Sequence, residues 1–132
     1  MRENMLKPRV LVVDDEPVIL DCLRLWLKPD YFVHSYSRGE GILSQLDAVE
    51  PDLIILDLYM PGMDGFSLCK EIRSDPRFRR LPVVFLTSSK RDADFLKTLE
   101  LGANAYLNKP ITASELRSRI REILKEAGPG RG

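Results

Sequence analysis

Three short runs in this chain are apolar without a break: Val10 to Val13 (VLVV), Leu53 to Leu56 (LIIL) and Val83 to Leu86 (VVFL). A strand with one wet face alternates apolar and polar residues, so an unbroken run predicts a strand covered on both faces. Parallel sheets with helices packed on either side meet that condition. The expected strands are Arg9 to Val13, Tyr31 to Tyr36, Leu53 to Leu56, Val83 to Leu86 and Ala105 to Leu107.

Between these runs the apolar residues recur at helical spacing. Ile19, Cys22, Leu23 and Trp26 share one face of a first helix that opens at Pro17, a residue suited to a first helical turn. Ile42, Leu46 and Val49 mark a second helix, and Leu68, Cys69 and Ile72 a third. Phe95, Leu96 and Leu99 mark a fourth, whose core face they are expected to form. Leu116, Ile120, Ile123 and Leu124 mark a fifth, which opens on the capping box Thr112-Ala113-Ser114-Glu115 and ends near Ala127. The expected fold class is α/β, a five-stranded parallel sheet, doubly wound, with five helices.

At 132 residues the chain suits one domain, expected at 1–127, followed by a flexible Gly-Pro tail at 128–132. No apolar run approaches the roughly 20 residues of a membrane span. Met1 to Pro8 lack the apolar centre of a secretory signal, so the expected location is cytoplasmic. Cys22 and Cys69 lack the CxxC spacing of a metal or redox pair and read as reduced thiols in or near the core. Twenty basic and 20 acidic residues cancel, which removes the electrostatic motive for nucleic-acid binding. Any contact with DNA would fall to another domain.

In a doubly wound sheet, ligands bind at the carboxyl ends of the strands, near the point where strand order reverses. Asp14 and Asp15 follow the first expected strand, Asp57 the third, Thr87 and Ser88 the fourth, and Lys109-Pro110 the fifth. A parallel sheet brings all of them to one rim. Three crowded carboxylates raise one another's pKa unless a cation sits among them. With oxygen ligands and no His or Cys nearby, a hard ion fits, Mg²⁺ or Mn²⁺ rather than zinc. Lys109 can pair with a carboxylate at rest and with a phosphoryl oxygen after reaction, and Thr87 offers a hydroxyl. Such a set suits phosphoryl transfer to a carboxylate.

Read in order, VLVVDDEP, LIILDLYMPGMDG, VVFLTSS and AYLNKPI resemble the response-regulator receiver family of two-component systems over residues 9 to 124. The resemblance implies a flavodoxin-like fold with strand order 2-1-3-4-5. It implies Asp57 as phosphoacceptor, and Asp15 as a direct Mg²⁺ ligand with Asp57 and the backbone carbonyl of Tyr59, Asp14 acting mainly through a metal-bound water. Mn²⁺ would substitute. Thr87 would be the hydroxyl that swings toward the phosphoryl group, Ser88 would supply a backbone N–H, and Lys109, before a cis proline bond, would pair with the phosphoryl group. Tyr106 would be the switch aromatic that turns inward and reshapes the surface of the fourth helix, fifth strand and fifth helix. The implied partners are a sensor histidine kinase or histidine phosphotransfer protein upstream, and a target or output domain on that surface, with phosphorylation-dependent homodimers possible in the family. Such a chain is a switch that catalyses only its own phosphorylation and dephosphorylation. One departure is Tyr59, bulky at a position that overhangs the site, where it is expected to screen the attacking water.

Each feature has a plainer reading. An Asp pair at a helix N-terminus can simply favour the helix dipole, Asp57 can be another strand-end carboxylate, and Thr87 can cap a loop. Lys109 can be a solvated lysine and Tyr106 a half-buried strand aromatic. His34 reads as structural, and Arg77-Phe78-Arg79-Arg80 as a solvated loop. Convergence on one rim favours the phosphoryl-transfer reading. A phosphohydrolase on a similar sheet would need a second carboxylate two residues after its nucleophile, where this chain has Tyr59. A nucleotide site would need a Gly-rich loop where Asp-Asp-Glu-Pro stands. A receiver-like interaction module that takes no phosphate is the remaining alternative.

Overall fold

The computed structural model describes residues 7 to 128. Strands and helices alternate along the chain: β1 Arg9–Val13, α1 Pro17–Leu27, β2 Phe32–Tyr36, α2 Ile42–Val49, β3 Leu53–Leu56, α3 Gly65–Ser74, β4 Val83–Thr87, α4 Asp92–Glu100, β5 Ala105–Asn108 and α5 Ala113–Ala127. All strand pairs are parallel and the sheet order is β2-β1-β3-β4-β5. The doubly wound, flavodoxin-like architecture is therefore as expected. The expected flexible tail lies, beyond Gly128, outside the described residues.

Side chains of successive strand residues point to opposite faces, and both faces are buried. Leu11, Val13, Ile54, Leu56, Val83 and Phe85 meet α2 and α3 through Ile42, Leu46, Leu68, Cys69 and Ile72. Val10, Val12, Leu53, Ile55, Val84 and Leu86 meet α1 and α5 through Leu23, Leu27, Leu116, Ile120 and Ile123. The double burial explains the unbroken apolar runs. The capping box on Thr112 and Glu115 is formed as expected. Both cysteines are free thiols, Cys69 buried and Cys22 partly so.

Several local expectations change, β2 starting at Phe32 rather than Tyr31. β4 runs one residue further and takes in Thr87, and β5 takes in Asn108, because Thr87 pairs with Asn108 across the two strands. α4 buries Asp94 and Thr98, while Phe95, Leu96 and Leu99 stay exposed at 42%, 56% and 53%. The apolar stripe lies one residue round the helix from the buried one, because both buried polar groups are satisfied: Thr98 donates to the Phe95 carbonyl at 2.7 Å, and Asp94 accepts two hydroxyls. In the basic loop Phe78 is buried, and Arg77 stacks over its ring while pairing with Asp47 and Asp75.

Register fixes the rim. Val13 lies beside Leu56, so the next residue of each strand, Asp14 and Asp57, emerges side by side where strand order reverses. Gly65 sets the floor beneath Asp57: a Cβ there would lie 2.2 Å from the Asp57 carbonyl oxygen and 3.0 Å from Leu58 Cα. Backbone cannot yield as a side chain can, so Gly65→Ala is expected to cost about 1 to 3 kcal/mol. Urea denaturation checks this, and an unchanged midpoint would show that α3 does not pack this tightly against the Asp57 segment.

Candidate functional site

Asp14 follows β1, and its Oδ1 accepts the Glu16 N–H at 2.9 Å, so its carboxylate is fixed by the turn it starts. The Asp57 N–H donates to the Val13 carbonyl at 3.1 Å, continuing the β1–β3 ladder one step beyond β3. Both are nearly inaccessible, at 2% for Asp14 and 7% for Asp57. On the far side of β4, the Lys109 N–H donates to the Thr87 carbonyl at 2.8 Å, and the Lys109–Pro110 peptide is cis.

The Lys109 ammonium reaches back across the rim. It donates to Asp14 Oδ2 at 2.7 Å and Glu16 Oε1 at 2.7 Å, and lies 3.5 Å from Asp57 Oδ2. Carboxylate oxygens of Asp14, Glu16 and Asp57 lie within 4.8 Å of one another. Burial raises the pKa of Asp14, and its bonds to Lys109 and to the Glu16 N–H only partly offset this. Asp57 is raised first by burial and then by the Asp14 charge, against the pull of Lys109. Burial alone would lower Lys109, but its bonds to Asp14 and Glu16 and the nearby charges win, and its pKa is raised. The asymmetry is physical: one cation is shared among three anions. It is well held, while Asp14 and Asp57 remain under-compensated.

Of the expected metal ligands, Asp14 and Asp57 converge, whereas Asp15 is exposed and is not among the three carboxylates that share Lys109. Glu16 stands there instead. Sequence reading missed it because the residue at the helix N-cap position, before Pro17, reads as a helix-start acid. The available hint was a third consecutive acid.

Thr87 is 1% exposed and its Oγ1 accepts the Ser89 N–H at 3.2 Å, while Ser88 is exposed. Tyr106 is half-buried against the α2–α3 side of the core, and its hydroxyl donates to the Ser89 carbonyl at 3.0 Å. Its ring meets Phe95 edge-on at 5.4 Å. Ser89, which sequence reading also passed over, is thus the meeting point of the Thr87 and Tyr106 contacts. His34 is partly buried on β2, which pairs with β1 alone.

A five-stranded parallel sheet of order 2-1-3-4-5 with helices on both faces is matched among solved structures. The family description "Response regulator receiver domain" matches residues 10–121. This chain belongs to the response regulator receiver family. The receiver is 39% identical over 125 residues to the transcriptional regulatory protein BaeR of Escherichia coli O6:H1, covering 94% of this chain and 51% of that protein. Among solved structures, the receiver domain of a histidine kinase from Syntrophus aciditrophicus superposes with a TM-score of 0.83 at 31% identity, over 92% of each chain. The beryllofluoride-activated N-terminal receiver of Klebsiella pneumoniae RstA gives 0.81 at 31% identity, over 89% of this chain and 98% of that one. The receiver spans about half the length of the curated relatives it matches first. Its role is the family's, a phosphorylation-dependent switch in two-component signalling. Among the described residues no helix is long and apolar enough to cross a membrane.

Proposed function

We propose that Asp57 is the phosphoacceptor, that Asp14, Asp15, Asp57 and the Tyr59 carbonyl hold a Mg²⁺ ion, for which Mn²⁺ can substitute, and that Thr87, Ser88 and Lys109 receive the phosphoryl oxygens. The observation that carries this reading is the Lys109 ammonium shared by Asp14, Glu16 and Asp57. Asp14 and Asp57, which already draw in the Lys109 ammonium and remain raised in pKa, suit a hard divalent ion. When bound, Mg²⁺ offsets the crowded negative charge and that of the incoming phosphoryl group.

An Asp57 carboxylate oxygen bonds to phosphorus as the bond from phosphorus to the donor breaks, the donor being a phosphohistidine of a sensor kinase or phosphotransfer protein, or a small acyl phosphate. The donor leaves with the bonding electron pair. Gly65 keeps α3 tight beneath the acceptor, and the ladder bond to Val13 fixes its backbone. Phosphorylation adds about −1.5 to −2 of charge beside Lys109, which shifts it from Glu16 and Asp14 toward the new oxygens. Thr87 turns to donate, and Tyr106 follows through their shared partner Ser89. Phe95, exposed on α4 together with Leu96 and Leu99, meets this aromatic edge-on, so the face of α4, β5 and α5 is the natural surface for a target, an output domain or a second phosphorylated copy. A cytoplasmic setting fits a histidine-kinase donor.

Calorimetric titration with Mg²⁺ alone tests the ligand set. The native receiver is expected to take one ion, and Asp57→Asn to bind it at least about tenfold more weakly, the usual scale for losing one ligand or its support. Equal affinity in the variant would remove Asp57 from the metal site and reject the proposal.

A further inference from the structure

The segment between β3 and α3 is closed at its ends by its own residues. The Gly65 N–H donates to the Leu58 carbonyl at 2.8 Å, and Asp64 caps α3 by accepting the Ser67 N–H at 2.8 Å. Its tip is held from elsewhere: the Met63 N–H donates to Glu40 Oε2 at 3.0 Å, across 23 positions of sequence. Glu40 stands in the turn between β2 and α2. Its carboxylate fills the space that a side chain at Gly62 would take, since a Cβ there would sit 2.2 Å from Oε2. Gly62 also has φ 83°, so glycine suits that position on two counts. The two turns pack backbone to backbone as well, because a Cβ on the buried Gly39 would lie 3.2 Å from the Met63 carbonyl oxygen. An exposed acid from one turn thus docks on the backbone of the next.

We propose that Glu40 is a positioning residue for the metal: by fixing the tip of the segment after Asp57, it orders in advance the backbone that presents the Tyr59 carbonyl to Mg²⁺. The inference rests on the ligand set proposed above. Tyr59 directly follows Leu58, one end of the closed segment, and only Met60, Pro61 and Gly62 separate it from Met63. A carbonyl must hold one direction to serve as a ligand. A free tip containing Gly62 has many backbone states to lose when an ion orders it, and a segment already held loses fewer. Glu40 has no place among the ligands. It acts through the Met63 N–H, so what counts is an acceptor oxygen at that point rather than a negative charge.

The test is calorimetric titration with Mg²⁺ alone for the native chain, Glu40→Ala and Glu40→Gln, joined to hydrogen exchange of the Met63 amide without metal. Both substitutions fall at an exposed residue, where the fold tolerates change. Glu40→Ala is expected to raise the Mg²⁺ Kd about threefold to tenfold, the span that the loss of one hydrogen bond covers, and to speed exchange at Met63. Glu40→Gln removes the charge and keeps an acceptor oxygen, so it should bind Mg²⁺ within about twofold of the native chain. Native affinity in Glu40→Ala would overturn the tether while leaving the ligand set intact. Equal weakening in both variants would overturn it too, by making Glu40 a distant charge that draws in the cation. If the native chain takes no Mg²⁺ at all, the proposed ligand set falls, and this inference with it.

Discussion

Lys109→Met is expected to lose about 2 to 4 kcal/mol of folding stability at pH 8, and Mg²⁺ is expected to restore part of it. The side chains of Lys109, Asp14 and Asp57 are only 9%, 3% and 9% exposed, so removing the ammonium strands two buried carboxylates. Breaking a buried ion pair costs about 3 to 5 kcal/mol, and the position at the rim of the sheet brings the figure down. The same electrostatics predicts the rescue. An ion that binds only the folded state at ten times its Kd adds about 1.4 kcal/mol. Lower pH should act in the same direction, because Asp14 and Asp57 hold protons more readily folded than unfolded and then need no cation. Denaturant unfolding at pH 8 and pH 5, with and without Mg²⁺, measures all of this. A loss under about 1 kcal/mol that neither pH nor metal alters would mean that the lysine is not the counterion of this cluster.

Asp57→Asn is expected to do the opposite, raising the stability of the metal-free receiver by about 1 kcal/mol near neutral pH while ending its chemistry. The sign follows from the raised pKa. A carboxylate whose folded pKa lies above its unfolded one contributes stability that is fully present below the unfolded value and is lost as pH rises through the folded one. Near pH 4 the native chain and the variant should therefore be close. Their difference should open as pH rises and Asp57 ionises beside Asp14, a charge the neutral amide does not carry. The gain comes from a site that crowds like charges for function. Equal stability of the two proteins across that range would show that Asp57 carries no such strain.

The central strands were legible because burial on both faces leaves an unbroken apolar run, and the start of α5 because a capping box is a local device. Where the strands reach the rim was legible for the same reason, so Asp14, Asp57, Thr87 and Lys109 could be named from their places after those runs. The strand order came from the resemblance to a family rather than from periodicity. α4 was misread: its apolar residues face outward, and its buried face is made of Asp94 and Thr98. Hydropathy counts cannot see a buried carboxylate whose partners, Tyr59 and Ser89, lie on other segments. Glu16 was missed for a related reason, since its value lies in a lysine 93 positions away. The direct metal role expected of Asp15 stays a proposal, resting on the family pattern and on its place beside the cluster.

The measurement closest to the central claim is intact mass after incubation with acetyl phosphate, with and without Mg²⁺, for the native receiver and for Asp57→Asn. A single phosphoryl adduct is expected on the native chain, requiring the metal and absent from the variant. An adduct of equal yield on Asp57→Asn, or one on the native chain that forms as well without Mg²⁺, would contradict the account.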